Sequence, residues 1–515
     1  MVKILWVDDE IDLLKPYILF LNAKGYEVIS AVDGNEALDV LQSQNVDVMF
    51  LDENMPGLTG LEVLDIVKGK YPALPIIMIT KSEEEHIMEQ AIGSKISDYL
   101  IKPVNPNQIL LVLKKHLDTK RLVSEKSTMG YQQEFRQIGM RLMDRLNGDD
   151  WIQLYKDLVR WELELSESDD VSIFEILKQQ KDEANVQFSK YYENNYRNWI
   201  SGKDDSSPLF SHQLLQRKLF PFLKDDKPTF LIVIDNFRFD QWKALQPIIE
   251  EYLRVEKEDV YYSIIPTTTQ YARNALFAGL MPSEIKKVYP DLWIDETEEG
   301  NKNQNEHILL QKLLLRYRFD IKTTYHKVLN ATYGKRMIDN LPNLMQNKLN
   351  VIVYNFIDML SHARTESDLV RELAEDENAY RSVTRTWFVH SPLFEVLKYL
   401  SNKQANVFIT TDHGSVRVSR PVKIKATKEA SVNLRYKVGR LLDYNPKDVF
   451  DVKNPEDIFL PRLSILSPFI FARANDFFAY PNNYNYYVQY YMNTFQHGGI
   501  SMEEILVPFI QLTQK

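Results

Sequence analysis

Residues 1–120 alternate short apolar runs with amphipathic helical patterns, and this alternation constrains the fold more than any other feature of the chain. The five apolar runs are Lys3–Val7, Glu27–Ala31, Val46–Leu51, Pro75–Thr80 and Asp98–Lys102. Strand-length runs that alternate with helices are typical of parallel sheets covered on both faces. The sequence therefore predicts an α/β fold for this segment, a flavodoxin-like doubly wound sheet.

Polar and charged side chains stand where these predicted strands end. They are Asp8, Asp9, Asp52, Thr80 and Lys102. Ligands of doubly wound sheets bind outside the carboxyl ends of the strands, so we expect these five side chains to converge. Acidic loop residues are often only solvated, but solvation alone does not explain five suitable residues at the strand ends. Three converging carboxylates predict a Mg²⁺ site.

The motifs WVDDE, FLDENMPG, MIT and YLIKP resemble the receiver domain of two-component response regulators. The resemblance implies that a cognate sensor histidine kinase phosphorylates Asp52. It also implies that Asp9, Asp52 and the carbonyl group of Asn54 hold Mg²⁺, with Asp8 assisting through a water molecule.

The same resemblance implies roles for three further residues of this segment. Lys102 and Thr80 would contact the phosphoryl oxygens, and Tyr99 matches the position of an aromatic switch residue. The alternative for Tyr99 is a tyrosine packed in the core.

Residues 121–205 carry helical patterns without a chemical motif. Apolar residues at helical spacing predict a small helical bundle, and they are Phe135, Ile138, Leu142, Leu146, Trp151, Leu154, Leu158, Ile173, Phe174 and Leu177. The interleaved residues Tyr191, Tyr192, Tyr196, Arg197 and Trp199 could stack nucleic-acid bases, although this spacing is more typical of packing. We expect the bundle to couple an input domain to an output domain. The polar stretch Ser201–Pro208 predicts a linker.

In residues 206–515, four short pieces bring candidate metal ligands: Asp235, then Asp358 with His362, then Asp412 with His413, and finally His497. Asp358 and His362 are four residues apart, so a helix would point both side chains in the same direction. Six oxygen and nitrogen ligands suit two zinc ions, although Mn²⁺ or Fe²⁺ fits the same donors. The chain has no cysteine, which excludes thiolate sites. A single Asp-His pair is commonly a hydrogen-bonded loop, so the prediction depends on the combination.

The stretch Ser263–Leu280 runs from a strand end through Pro266 into three consecutive threonines and then a helical pattern. A threonine at the start of that helix would lie beside unpaired backbone NH groups and the positive end of the helix dipole, which favour a phosphate. A hydroxyl there suits a nucleophile. The alternative is that Thr267–Thr269 only cap the helix.

The motifs IDNFRFDQW, PTTTQYARNALFAGL, DMLSH, TTDHG and HGG together resemble the alkaline phosphatase superfamily and, within it, the PglZ-type domains. The resemblance implies a large α/β domain in residues 206–515. It implies two zinc sites, one formed by Asp235, Asp412 and His413 and the other by Asp358, His362 and His497.

The resemblance also implies that Thr269 is the nucleophile, because its distance to Ala278–Leu280 matches related nucleotide pyrophosphatases and phosphodiesterases. Thr268 is the alternative. Arg273 lies one helical turn after Thr269 and could clamp a phosphate oxygen, whereas the alternative is a solvated helix arginine. Pocket residues would come from insertions such as Glu284–Tyr325. The six tyrosines before His497 could stack bases, or they pack against the domain: Tyr480, Tyr484, Tyr486, Tyr487, Tyr490 and Tyr491.

The order of the three segments, 1–120, 121–205 and 206–515, resembles PorX-type response regulators, which control type IX secretion. The resemblance implies cleavage of phosphodiester bonds in oligonucleotides or nucleotides, and a homodimer that forms on phosphorylation. A sigma factor or a secretion-system component is implied as a further partner. Two alternatives stay open: a regulator that binds nucleotides or protein without turnover, and a monoesterase, sulfatase or phosphonate hydrolase with the same metals.

Composition limits the remaining classes. The apolar run in the opening MVKILWVDDE is too short for a secretory signal or a membrane span, so we expect a cytoplasmic protein without membrane insertion. A net charge of −10 argues against a broad face for duplex nucleic acid. A length of 515 residues fits about three or four domains.

Overall fold

The computed structural model describes residues 2–72, 74–80, 96–166, 171–427, 430–464 and 467–515. These residues fall into two compact units, one up to Gly130 and one from Tyr131 to Lys515. Within the described ranges, no helix is both long and apolar enough to cross a membrane.

The first unit contains a five-stranded parallel sheet. Its strands are β1 Val2–Val7, β2 Tyr26–Ala31, β3 Val48–Asp52, β4 Ile76–Thr80 and β5 Asp98–Ile101. They lie in the order β2-β1-β3-β4-β5, and every neighbouring pair is parallel. The predicted flavodoxin-like fold is therefore confirmed.

Helices cover both faces of this sheet because successive residues of a strand point to opposite sides. Leu5 and Val7 of β1 enter one hydrophobic core, and Ile4 and Trp6 enter a second core. The described helices are α1 Lys15–Ala23, α2 Gly34–Ser43, α3 Gly60–Lys70 and α4 Pro106–Leu113. The predicted helix between β4 and β5 falls on residues 81–95, outside the described residues.

Three long helices follow, as the periodicity of residues 121–205 predicts. They are α5 Thr119–Met143, α6 Gly148–Ser166 and α7 Val171–Ile200. Helices α6 and α7 share one hydrophobic core with the large sheet of the second unit. Tyr192 and Tyr196 are fully buried there, so packing is confirmed for these two tyrosines and base stacking is wrong.

The second unit is built on a six-stranded mixed sheet with several short strands beside it. Its strands are β6 Thr229–Ile234, β7 Leu253–Tyr262, β8 Thr323–Val328, β9 Leu349–Tyr354, β10 Asn406–Thr410, β11 Val416–Arg417, β12 Arg420–Lys423, β13 Tyr436–Val438, β14 Phe450–Val452, β15 Phe469–Phe471, β16 Asp476–Ala479, β17 Phe495–Gln496 and β18 Leu506–Gln514. The main sheet has the order β7-β18-β10-β6-β9-β8.

The helices of this unit connect and cover the strands. They are α8 Ser211–Leu214, α9 Phe239–Ile249, α10 Asn274–Ala278, α11 Pro282–Val288, α12 Glu306–Arg316, α13 Ala331–Asp339, α14 Leu341–Leu344, α15 Phe356–Glu366, α16 Asp368–Leu373, α17 Glu377–Val389, α18 Pro392–Ser401, α19 Tyr484–Tyr491 and α20 Met502–Ile505. Strands β10, β6 and β9 are adjacent and parallel, so the residues that follow them meet at one edge of the sheet.

Candidate functional site

A buried group of three ligand side chains lies at this edge of the large sheet. Asp235 follows β6, and Asp412 and His413 follow β10; one ligand atom from each lies within 4.8 Å of the others. His413 Nε2 is 3.7 Å from Asp235 Oδ1 and 3.6 Å from Asp412 Oδ2. All three side chains are buried. We call this group the first triad.

A second triad brings together Asp358, His362 and His497. Asp358 and His362 lie one turn apart on α15, and His497 follows β17. His497 Nε2 is 3.5 Å from Asp358 Oδ1, and His362 Nε2 is 3.6 Å from Asp358 Oδ2. The His362 side chain is 62% exposed, so this triad is open to solvent where the first is closed.

The two triads adjoin each other. The rings of His413 and His497 stack with their centroids 4.4 Å apart. Asn236, which follows Asp235, donates a hydrogen bond to Asp358 Oδ1 at 3.5 Å. Asn355, three residues before Asp358, donates in the opposite direction to Asp235 Oδ2 at 3.1 Å.

Sequence reasoning missed both asparagines. The signal was their position, because each follows one of the parallel strands that carry the ligands. Asn236 has a φ of 61°, and asparagine tolerates this left-handed conformation better than most residues.

The donors of both triads fit a divalent metal ion. His413 Nδ1 lies 3.1 Å from the carbonyl oxygen of Gly414, and His497 Nδ1 lies 3.1 Å from that of Thr267. A ring that donates from Nδ1 keeps the lone pair of Nε2 free for a metal. Asp412 Oδ2 is buried and accepts no hydrogen bond from the described residues. Nitrogen and carboxylate donors in groups of three suit zinc.

Electrostatics differ between the two triads. Burial raises the pKa of Asp235 well above its ordinary value, although the neighbouring Arg273 opposes this. Burial also lowers the pKa of His413 to about 4. In the second triad, burial acts to lower the pKa of His497, but the hydrogen bond to Asp358 and the negative charges of Asp358 and Asp235 together outweigh burial and raise that pKa. In the first triad, burial therefore disfavours the charged forms of both the Asp235 carboxyl group and the His413 imidazole.

The Thr269 hydroxyl lies beside the first triad. Thr269 begins the helical turn Thr269–Arg273, which runs directly into α10. Its Oγ is 3.4 Å from Asp235 Oδ1 and 3.4 Å from His413 Nε2. The side chain is partly exposed, so a substrate can reach it.

The other two threonines of the run have different surroundings. Thr267 Oγ donates to the carbonyl oxygen of Gly499 at 3.0 Å and accepts from the backbone NH of Gly498 at 2.9 Å. Thr268 Oγ is buried without a hydrogen-bond partner among the described residues. Of the three hydroxyls, the structure brings that of Thr269 next to the candidate metal ligands.

Arg273 is buried between two carboxylates. Its Nη1 lies 2.8 Å from Asp235 Oδ2, and its Nε donates to Glu306 Oε1 at 2.8 Å. The alternative of a solvated helix arginine is therefore wrong. The guanidinium supports Asp235, while contact with a substrate phosphate stays a prediction.

The stretch Glu284–Tyr325 supplies residues that sequence reasoning missed. Glu306 from α12 neutralises Arg273 and also accepts a hydrogen bond from the Tyr325 hydroxyl. Asn303 Nδ2 donates to the carbonyl oxygen of Thr269 at 2.7 Å and so holds the turn that carries the hydroxyl. No local pattern identified these residues, because their partners are far away in the sequence.

The five-stranded sheet carries a separate acidic site. Asp8, Asp9 and Asp52 have oxygen atoms within 4.8 Å of one another. Lys102 Nζ lies 2.7 Å from Asp8 Oδ2 and 3.0 Å from Asp52 Oδ1. Burial raises the pKa of Asp52, and the hydrogen bond from Lys102 opposes this. The structure therefore brings four of the five predicted strand-end residues together, with oxygen ligands that suit Mg²⁺.

Thr80, Asn54 and Tyr99, the other predicted residues of this sheet, have different surroundings. Thr80 is buried at the end of β4 and donates a hydrogen bond to the Glu53 carboxylate. Asn54 is exposed and lies two residues after Asp52 in the sequence. Tyr99 is 41% exposed, so its interpretation as a core tyrosine is wrong and its predicted switch role stays a prediction.

A further acidic group in the second unit is already neutralised. The carboxylates of Glu162, Asp240 and Glu377 lie within 4.8 Å of one another. Their cationic partners are Arg238, Arg381 and Lys181. This buried network joins α6 and α7 to α9 and α17 and leaves little free charge for a metal ion.

Three family models match the chain in succession. Residues 4–114 match the response regulator receiver domain, and residues 121–200 match the PorX response regulator linker domain. Residues 214–512 match the BREX system PglZ alkaline phosphatase-like domain. The third match alone covers more than half of the 515 residues.

Solved receiver structures are similar to a short part of the chain. Chemotaxis protein CheY4 of Vibrio cholerae is 35% identical over 23% of this chain and 99% of its own, with a TM-score of 0.22. Response regulator TrrA of Thermotoga maritima, solved with Mg(2+)-BeF, is 32% identical over 23% of this chain and 100% of its own, with a TM-score of 0.21. The NtrX receiver domain of Brucella abortus is 32% identical over 22% of this chain and 98% of its own, with a TM-score of 0.22.

Proposed function

Because the chain belongs to the PglZ family of alkaline phosphatase-like domains and is a PorX-type response regulator, we propose that its output domain is a metal-dependent phosphodiesterase. The main support is the Thr269 hydroxyl, whose oxygen is 3.4 Å from both Asp235 Oδ1 and His413 Nε2. A reachable hydroxyl beside candidate metal ligands suits nucleophilic attack on phosphorus. The substrates we propose are oligonucleotides or nucleotides.

We infer two zinc sites from the ligand sets. Asp235, Asp412 and His413 would hold one ion, and Asp358, His362 and His497 would hold the other. The Asp412 oxygen without a hydrogen bond from the described residues and the Nδ1 contacts of His413 and His497 support this inference. When bound, the two ions would lower the pKa of the attacking hydroxyl and offset the charge on the leaving oxygen.

The chemistry at Thr269 has two steps. First, its oxygen forms a bond to phosphorus while one ester bond breaks; the hydroxyl proton passes to solvent, and the leaving oxygen takes up a proton. Water then attacks the same phosphorus, which releases the monoester and restores the hydroxyl. Asn303 fixes the Thr269 backbone, and Arg273 holds the carboxylate of Asp235 in place.

The test compares three chromogenic substrates on the purified full-length chain: a phosphate diester, a phosphate monoester and an aryl sulfate. We expect bis-p-nitrophenyl phosphate, a diester, to be hydrolysed faster than p-nitrophenyl phosphate, a monoester. Faster hydrolysis of the monoester, or of an aryl sulfate, would contradict diesterase specificity. Absence of turnover with all three substrates would favour a regulator that binds without catalysis.

A receiver domain implies a cognate histidine kinase. We propose that phosphorylation of Asp52 controls self-association of the chain. We also propose that Mg²⁺ is held there by Asp8, Asp9, Asp52 and the Asn54 carbonyl group. A phosphoryl group adds negative charge that competes with Glu53 for the Thr80 hydroxyl. Movement of Thr80 would let the exposed Tyr99 turn inward, which changes the surface near β5. The regulated process we propose is type IX secretion, with a sigma factor or a secretion-system component as partner.

We expect beryllofluoride, a mimic of phosphoaspartate, to convert the wild-type protein from a monomer to a dimer in sedimentation experiments. We also expect it to change the rate of diester hydrolysis. The Asp52→Ala variant should stay a single chain, because the acceptor carboxylate is gone. Asp65→Ala, at an exposed aspartate of α3, is the matched control and should respond like the wild type. An unchanged mass and rate in the wild type would contradict control by dimerisation.

A further inference from the structure

A cavity of about 750 Å³ lies next to α19 in the second unit. Aromatic rings and lysines are prominent in its wall: Phe478, Tyr480, Tyr487, Tyr491, Lys425 and Lys437. Its volume is in the range of ligand pockets. The cavity is separate from the two triads, none of whose residues lines it.

The tyrosines of α19 are only partly packed. No residue of this helix is buried, and Tyr486 and Tyr487 are 62% and 38% exposed. Tyr484 and Tyr491 contact a small apolar cluster, so packing accounts for these two. It does not account for Tyr487, whose ring is nearly parallel to that of Tyr491 at a centroid distance of 6.2 Å. These two rings give the cavity an aromatic wall.

The charged side chains among the described lining residues are both lysines, although the chain as a whole is acidic. Among the described residues that line the cavity there is no carboxylate, whereas Lys425 and Lys437 both line it. Lys425 pairs with Asp443 at 2.9 Å, but both side chains are about two-thirds exposed, so water weakens this pair. A second cavity of about 350 Å³ shows the contrast, because six of its lining residues are acidic: Glu162, Glu175, Asp182, Asp376, Glu377 and Glu503.

Lys437 is the most unusual residue of the wall. It is buried, donates a hydrogen bond to the carbonyl oxygen of Ser431 at 2.6 Å, and lies 5.1 Å from the centre of the Tyr480 ring. Burial lowers the pKa of Lys437 to about 8, so the ammonium form still dominates at neutral pH. The negative charge of Glu296 acts on Lys437 and opposes the effect of burial. The hydrogen bond of the ammonium group goes to a carbonyl oxygen and not to a carboxylate, so the group retains the capacity to attract an anion.

One strand separates the cavity from the loop that carries His497. Tyr436 and Lys437 are neighbours in β13, so their side chains point to opposite faces. On the Tyr436 side, a Cβ atom added to Gly498 would lie only 2.8 Å from the tyrosine ring. Gly498 has a φ of 120° and directly follows His497. The Lys437 face is therefore one strand away from the second triad.

We propose that this cavity binds a nucleotide unit of a single-stranded oligonucleotide whose scissile bond lies at the metal triads. A base would stack on Tyr487 and Tyr491, and a phosphate would face Lys437 and Lys425. Stacking on aromatic rings combined with basic side chains is how proteins hold single strands without reading their sequence. The inference rests on the proposed function for the chemical class of the ligand and for the position of its scissile bond. An apolar protein segment would not need two lysines in a wall whose described residues include no carboxylate.

The experiment measures binding of a fluorescein-labelled oligonucleotide of about ten residues to the full-length Thr269→Ala chain, in which turnover does not interfere. In that background we expect Tyr487→Ala to weaken binding about tenfold, through loss of a stacking face. Tyr486→Ala is the matched control, because Tyr486 directly precedes Tyr487 in α19, is also exposed and does not line the cavity. It should bind like the parent. Lys425→Gln, at an exposed position, should weaken binding and reduce its salt dependence.

Several outcomes would overturn the proposal. Equal binding by the Tyr487→Ala protein and its parent would do so, as would equal losses in Tyr487→Ala and Tyr486→Ala. Loss of self-association in Tyr487→Ala, with unchanged oligonucleotide binding, would assign the face to a protein partner and also overturn it. Hydrolysis of bis-p-nitrophenyl phosphate by the control Tyr486→Ala, in an otherwise wild-type chain, should stay at the wild-type rate, because Tyr486 does not line the cavity. If wild type cleaves this diester and binds no oligonucleotide, the cavity proposal fails and the phosphodiesterase proposal stands.

Discussion

Replacement of Thr269 by alanine is expected to reduce hydrolysis of bis-p-nitrophenyl phosphate by about 10³-fold or more, because the attacking oxygen is lost. The fold should be unchanged, since the side chain is partly exposed and its Asn303 contact is made through the backbone. Initial rates measure the effect. Circular dichroism and metal content should match the wild type.

Two neighbouring substitutions test the assignment of the nucleophile. Thr269→Ser keeps a hydroxyl in the same place and should retain a large part of the activity. Thr268→Ala removes a hydroxyl that makes no hydrogen bond with the described residues, and it should retain turnover. Activity in Thr269→Ala together with its loss in Thr268→Ala would show that the nucleophile is one residue earlier.

Purified protein is expected to carry close to two zinc ions per chain, and His497→Ala or Asp358→Ala is expected to lose one of them. The second triad has three ligands, so removal of one leaves too few donors to retain the ion. The rate of diester hydrolysis should fall when this ion is lost, because each ion supports a different part of the reaction. Elemental analysis of dialysed protein gives both the number and the identity of the metals.

A matched control is available for this measurement. His390 is exposed and belongs to neither triad, so His390→Ala should keep both ions. A full metal complement in both Asp358→Ala and His497→Ala would show that the second site is wrong. Manganese or iron in place of zinc would change the metal and leave the ligand sets intact.

The sequence by itself was sufficient for the fold class and for the order of the segments. Short apolar runs alternating with helices predict a parallel sheet, and the order β2-β1-β3-β4-β5 confirms it. Parallel strands also place the residues after them at one edge. This is why Asp8, Asp52 and Lys102, separated by up to 94 residues, could be expected to meet. Spacing alone predicted that Asp358 and His362 share a helix face.

Only the tertiary structure decided what lies around these residues. It distinguished the surroundings of Thr267, Thr268 and Thr269, which a run of identical residues cannot do. It paired Arg273 with Glu306 from a segment without a readable pattern, and it merged α6 and α7 with the core of the large domain. The physical reason is that periodicity reports which face of an element is buried. The partner of a buried charge or hydroxyl depends on packing between elements distant in sequence, which no local pattern encodes.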